Sequence, residues 1–177
     1  IGDGNTAGRP RTLAIAGNGN TVIQGSVIAG TDPGKNLTKS GSGNLTIQGV
    51  GTTVAGTISV TAGAITATDF RSLNNNTAAI SLGNATTTGG NLIIGGTGVT
   101  PTIAGLTTSK TITLNTTSGS NSIYANQIGA NPVILNGAIT KIAAATTGAL
   151  FLGGTNTADN IINVVIPVET TPSTGGV

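Results

Sequence analysis

The feature that most constrains this chain is a short apolar beat, two or three aliphatic residues spaced at i and i+2, stopped each time by a Gly, Asn or Thr turn. It recurs at Leu13-Ala14-Ile15, Leu45-Thr46-Ile47, Leu92-Ile93-Ile94, Ile112-Thr113-Leu114, Val133-Ile134-Leu135 and Leu150-Phe151-Leu152. Alternation over three to five residues is the signature of a strand with one buried face. Several beats are followed by another, as in Val22-Ile23 then Val27-Ile28, or Ile123 then Ile128. Two to three short strands per unit follow. Helix is disfavoured throughout, because β-branched residues dominate and a Gly or Asn interrupts nearly every window of eight. The least strand-like stretches are Asp69 to Thr77, with its Asn74-Asn75-Asn76 run, and Lys141 to Thr147, with Ala143-Ala144-Ala145. The Ala143-Ala144-Ala145 run reads as a single helical turn, with an extruded loop as the alternative for either stretch.

Beats that start at Leu92, Ile112, Val133 and Leu150 are about 17 to 21 residues apart, and self-similarity at such a period points to stacked coils rather than a sandwich. The expected fold is all-β, a parallel β-helix (β-solenoid) of roughly eight short coils with little or no α-helix. With one Tyr, two Phe and no Trp, the interior has to be built from small aliphatic layers. The expected core columns are Leu13, Ile15, Leu45, Ile47, Leu92, Ile94, Ile112, Leu114, Val133, Leu135, Leu150 and Leu152. Gly and Asn suit left-handed corners, Thr tolerates an exposed strand face, and Asn at successive corners can bond from coil to coil.

A coil stack ends in unpaired strand edges, which must be capped, extended or joined to a copy. Residues 11–166 are therefore read as the solenoid, with 1–10 and 167–177 as connectors or caps and Ile1 and Val177 as candidate assembly ends. The opening Ile1-Gly2-Asp3-Gly4 has neither Met nor a signal-like segment, which reads as a processed protein or a piece of a longer one.

Two stretches carry a family resemblance. Lys35-Asn36-Leu37-Thr38-Lys39-Ser40-Gly41-Ser42-Gly43-Asn44-Leu45-Thr46-Ile47-Gln48-Gly49 resembles the L-T-K-x-G-x-G-x-L-T-L-x-G signature of autotransporter-associated β-strand repeats. Residues 147–162, from Thr147-Gly148-Ala149-Leu150-Phe151-Leu152-Gly153 onward, resemble that family's G-x-L-x-L-x-G-x-N-T-x-x-N-x-I stretch without its usual Tyr. Together they cover about a sixth of the chain. The resemblance implies a secreted bacterial β-helical passenger, structural or adhesive, with no catalytic residues to carry over.

Chemistry is sparse. Only 7% of residues are charged, against about a quarter in an average protein. Cys, Met, Trp and His are all absent, which removes disulfides, thiolate metal sites and imidazole catalysis. The five acids, Asp3, Asp32, Asp69, Asp159 and Glu169, are far apart, and a carboxylate pair for glycoside cleavage would need assembly across coils, for instance from Asp32 and Asp69. Gly95-Gly96-Thr97-Gly98-Val99-Thr100 follows the calcium-binding nonapeptide except that Thr100 replaces its Asp, so it reads as a plain turn. Gly34-Lys35-Asn36 lacks the frame of a phosphate loop. The seven basic residues form no stripe and have no stacking aromatics, which argues against nucleic acid. No apolar run reaches the roughly 20 residues of a membrane helix.

The resulting expectation is a non-catalytic extracellular structural or adhesive solenoid, located at the bacterial surface and needing no cofactor. Its partners are itself, end to end or laterally, or the continuation of a longer chain, with surface glycans as a further class. An ice-binding rod is the alternative, suggested by Thr66-Ala67-Thr68, Thr86-Thr87-Thr88, Thr100-Pro101-Thr102, Thr111-Ile112-Thr113 and Thr155-Asn156-Thr157, although their uneven spacing opposes one flat array. A pectin-lyase-like enzyme ranks below both.

Overall fold

A computed structural model of the chain describes residues 11–28, 34–73, 79–127, 129, 131–142 and 148–166. Within them the backbone forms three sheets in which every strand pairing is parallel. The first sheet stacks Arg11–Ile15, Lys35–Lys39, Ile58–Val60, Ile80–Leu82, Ile112–Leu114 and Ile139–Lys141 in that order. The second stacks Thr21–Ile23, Asn44–Ile47, Ala64–Ala67, Asn91–Ile94, Ser120–Ala125 and Ala149–Gly154. The third is shorter, with Thr107–Thr108, Ile134–Leu135 and Ile161–Ile162. Each strand pairs with its counterpart one circuit later, the long-range repetition of a solenoid.

The period-two pattern explains why these segments are strands. Lys35–Lys39 alternates buried and half-buried residues, as do Asn44–Ile47 and Asn91–Ile94. Register converts the alternation into continuous inward columns. In the first sheet these run Leu13–Leu37–Ile58–Ile80–Ile112–Ile139 and Ile15–Lys39–Val60–Leu82–Leu114–Lys141. In the second they run Leu45–Ile65–Leu92–Ile123–Leu152 and Ile23–Ile47–Ala67–Ile94–Ala125–Gly154. Fully burying one such aliphatic side chain is worth about 1.5–3 kcal/mol, so the columns carry most of the favourable energy of the stack.

The first and second sheets each hold six strand levels among the described residues, where spacing and length led to roughly eight coils. At about 4.8 Å per step, six levels span about 24 Å. Leu92 and Leu150 lie in the second sheet, Ile112 lies in the first, and Val133 immediately precedes a strand of the third. The 17–21-residue period therefore measures steps between sheets rather than one circuit. In the first sheet a circuit ranges from 21 residues (Leu37 to Ile58) to 32 residues (Ile80 to Ile112).

Corners are held from one level to the next by side-chain amides. Asn18 Oδ1 accepts from the Ser42 amide at 3.3 Å, Asn20 Oδ1 from the Asn44 amide at 2.9 Å, and Asn36 Oδ1 from the Thr57 amide at 2.8 Å. Near the C-terminal levels Asn163 Nδ2 donates directly to Asn136 Oδ1 at 2.8 Å. Coil-to-coil Asn bonding thus runs mainly from side chain to backbone. Helix among the described residues is confined to two 3-10 turns. Phe70–Ser72, capped by Asp69, falls in the least strand-like Asp69 to Thr77 stretch, whereas Ile103–Leu106, capped by Thr102, has no counterpart in the pattern reading. The Asn74-Asn75-Asn76 and Ala143-Ala144-Ala145 runs and both proposed connectors, with Ile1 and Val177, lie outside the described residues.

Candidate functional site

The structure distributes the expected column residues unevenly. Leu45, Ile47, Leu92 and Ile94 are 0% exposed, and Ile112, Leu114, Val133 and Leu135 are buried. Leu13, Ile15 and Leu150 are only partly buried and pack against the core from the end levels. Leu152 is 46% exposed although it continues the Leu92–Ile123 column, because its strand is the last of the second sheet among the described residues.

The outer face of the first sheet carries hydroxyls in register. Thr38, Ser59, Ser81, Thr113 and Thr140 follow one another on five successive levels, and the Thr113 and Thr140 hydroxyls are 3.1 Å apart. None of these positions is charged. The Thr-x-Thr stretches do not assemble into one array. Thr66 and Thr68 are buried on the second sheet, Thr111 and Thr113 flank Ile112 on the first, and the other three stretches lie outside the strand cores. In the pairings described, none of the five is in register with another.

Several ionic groups act inside the framework. Asp69, 0% exposed, accepts from the Arg71 amide at 2.9 Å and forms an ion pair with Arg71 Nη2 at 2.7 Å. The Asp69 hydrogen bond holds the Arg71 guanidinium above its ordinary pKa, the attraction of the carboxylate adding to this while burial opposes it. The Arg71 carbonyl in turn accepts from the Gly51 and Thr52 amides, each at 3.1 Å, so the pair locks a corner. The sequence reading considered Asp69 only as a carboxylate partner of Asp32; its Asp-x-Arg spacing was the available signal for the pair it forms. Asp32, offered as its partner across coils, lies outside the described residues, as do Asp3 and Glu169. Among the described residues no three His, Cys, Asp or Glu side chains gather as a metal site.

Lys39 occupies an inward column between Ile15 and Val60 and is 1% exposed. Its ammonium turns aside and donates to the Ser40 and Gly41 carbonyls, both at 2.7 Å. Desolvation lowers the pKa of Lys39, and likewise that of buried Lys110.

Among the described residues, two cavities lie in the C-terminal half. One, of about 500 Å³, opens between the last levels, where Ile123, Leu135, Leu152 and Ile162 meet Asp159 and Asn160. The second, of about 250 Å³, is formed by Gly96, Gly98, Val99, Thr100 and Pro101 against Gln127. It is the turn that resembles the calcium nonapeptide.

No protein-family model matches the chain, and no solved structure does. Among curated proteins, the adhesin BmaC autotransporter of Brucella suis biovar 1 (strain 1330) is 32% identical over 158 residues, 89% of this chain. The chain spans about 4% of the length of that relative. It is thus distantly similar to one part of an autotransporter adhesin, and its all-parallel repeating sheets accord with that likeness.

Proposed function

We propose that this chain is a non-catalytic segment of a secreted bacterial surface protein, a β-solenoid whose levels are successive coils and whose role is structural and adhesive. The observation that carries the reading is the coincidence of two facts: similarity to an autotransporter adhesin over 89% of the chain, and parallel ladders that continue through both main sheets. Among the described residues the parallel stack leaves a strand edge at each end, so the unit invites extension by more of the same chain or by a copy of itself. In this reading residues 1–10 and 167–177 are the connectors and 11–166 the rod. The low charge of the hydroxyl face on the first sheet suits close contact with a neutral surface.

Electron microscopy of the purified chain, with adhesion of beads coated with it to host-cell surfaces, tests the proposal. Rods with a coil repeat near 4.8 Å, together with saturable attachment blocked by free chain, are expected. Globular particles without the repeat, and beads that attach no better than uncoated ones, overturn it.

A further inference from the structure

Four Asn-x-Thr triplets, the sequence that accepts N-linked sugars, lie among the described residues: Asn36-Leu37-Thr38, Asn44-Leu45-Thr46, Asn84-Ala85-Thr86 and Asn115-Thr116-Thr117. Three are woven into the stack. Their middle residues, Leu37, Leu45 and Thr116, are 0–1% exposed, so an enzyme reaches these triplets only by opening a level. Their polar groups are also engaged. Asn36 Oδ1 accepts from the Thr57 amide, Asn44 Nδ2 donates to the Thr46 hydroxyl at 3.1 Å, and the Thr117 hydroxyl donates to the Thr86 carbonyl at 2.9 Å.

The fourth triplet is built differently. It follows the strand Ile80–Leu82, and Asn84, Ala85 and Thr86 are all exposed. Asn84 Oδ1 accepts three bonds, from the Thr86 hydroxyl at 2.6 Å, the Thr86 amide at 3.1 Å and the Thr88 amide at 3.3 Å. Among the described residues Asn84 Nδ2 has no acceptor. The corner is anchored to the next level: the Ala85 amide donates to the Asn115 carbonyl at 2.6 Å, and the Thr86 carbonyl accepts from the Thr117 amide at 2.8 Å. Among the described residues Ala85 is also the one non-glycine with positive φ, +63. Such strain persists only where surrounding bonds hold it, and it gathers at functional positions.

These features suit glycosyl transfer to nitrogen. A carboxamide nitrogen is a poor nucleophile because its lone pair is delocalised into the carbonyl. It attacks once it sheds a proton and charge moves onto the oxygen. Three donors fixed on Oδ1 stabilise that charge, as a preorganised oxyanion site does, and they leave Nδ2 uncommitted on an exposed corner.

We propose that Asn84 is an acceptor site for an N-linked sugar. The bond from Nδ2 to the anomeric carbon forms as the bond from that carbon to the oxygen of a glycosyl phosphate donor breaks. The phosphate leaves with the bonding pair, and the Nδ2 proton passes to a basic group of the transferring enzyme. The site goes beyond the structural and adhesive reading and does not depend on it.

The folded full chain is incubated with a nucleotide-sugar-dependent N-glycosyltransferase and UDP-glucose, and separately with an oligosaccharyltransferase and a lipid-pyrophosphate-linked oligosaccharide. Peptide mapping by mass spectrometry follows each asparagine. At least one donor should modify Asn84 roughly tenfold faster or more than Asn36, Asn44 or Asn115, because the latter wait for local opening. Short peptides carrying the four triplets, which lack the stack, should differ far less. Asn84→Gln should abolish the modification. Thr86→Val should do so with little change in melting temperature, since the Thr86 carbonyl keeps its bonds to Thr117, and Thr86→Ser, which retains the hydroxyl, should be modified. Transfer from one donor alone supports the site and identifies its donor class. No transfer to Asn84 from either donor, or equal rates at all four triplets of the folded chain, overturns it.

Discussion

Gly41 lies directly over Gly17, one level along the stack, so closely that the Gly17 backbone occupies the space a Cβ on Gly41 would need. Gly41 also has φ +76, in the left-handed region that costs other residues about 1–2 kcal/mol. Gly98 has nearly the same φ, +79, but nothing within 4 Å of a Cβ built on it. Gly98→Ala should therefore show the conformational cost alone. Gly41→Ala should add the crowding of two stacked backbones, about 1–3 kcal/mol more. Urea denaturation of the two variants measures the difference, and equal midpoints would mean that corner stacking is not a constraint.

The Asp69–Arg71 pair predicts an asymmetry. Asp69 is fully buried, whereas Arg71 is 32% exposed on its side chain. Removing the arginine strands a buried carboxylate, a loss of about 3–5 kcal/mol. Replacing the acid by Asn keeps the cap acceptor for the Arg71 amide and leaves a guanidinium that water can reach, which should cost about 1–2 kcal/mol. Arg71→Ala should thus destabilise clearly more than Asp69→Asn. Thermal melts at neutral pH decide it, and the reverse order would show that the pair is not what holds the Gly51–Thr52 corner.

Lys39 links stability to alkaline pH. Its folded pKa lies below the ordinary lysine value of 10.5 because burial disfavours the ammonium, so between the folded value and 10.5 the unfolded chain binds more protons. Stability then rises with pH across that interval, and the full penalty applies below it. Lys110 acts in the same direction. Lys39→Met should flatten the rise of the melting temperature as the pH climbs toward 10.5, and should lower it overall through loss of the bonds to the Ser40 and Gly41 carbonyls. An unchanged slope would mean that the ammonium is effectively solvated.

Lys39 also shows where sequence reading stops. Beats such as Leu45-Thr46-Ile47 and Leu92-Ile93-Ile94 were legible because period two reports a buried face locally, without knowledge of the rest of the chain. Column membership was not. Lys39, Ala67 and Ala125 hold inward positions beside Val60, Ile47 and Ile94, but a lysine carries no apolar signal of its own and an alanine only a weak one. Circuit length varies with the corner excursions, notably between Ile80 and Ile112, where the 95–106 segment folds out with its 3-10 turn. A fixed period therefore joined beats of different sheets.

Register also predicts how protection from hydrogen exchange is distributed. Amides of Asn44–Ile47, Ala64–Ala67 and Asn91–Ile94 lie in strands paired on both sides, so they should exchange only through near-global opening. Those of Arg11–Ile15 and Thr21–Ile23 at one end, and Ala149–Gly154 at the other, have a strand on one side only among the described residues. Phe151 and Leu152 there are 55% and 46% exposed. In dilute isolated chain the end strands should exchange orders of magnitude faster than the middle ones. Raising the protein concentration should slow exchange at the ends selectively if copies join edge to edge, because each junction adds the missing strand and covers Leu152. Protection at the ends that is independent of concentration and equal to the middle would mean that the chain caps itself, and self-association through open coils would be excluded.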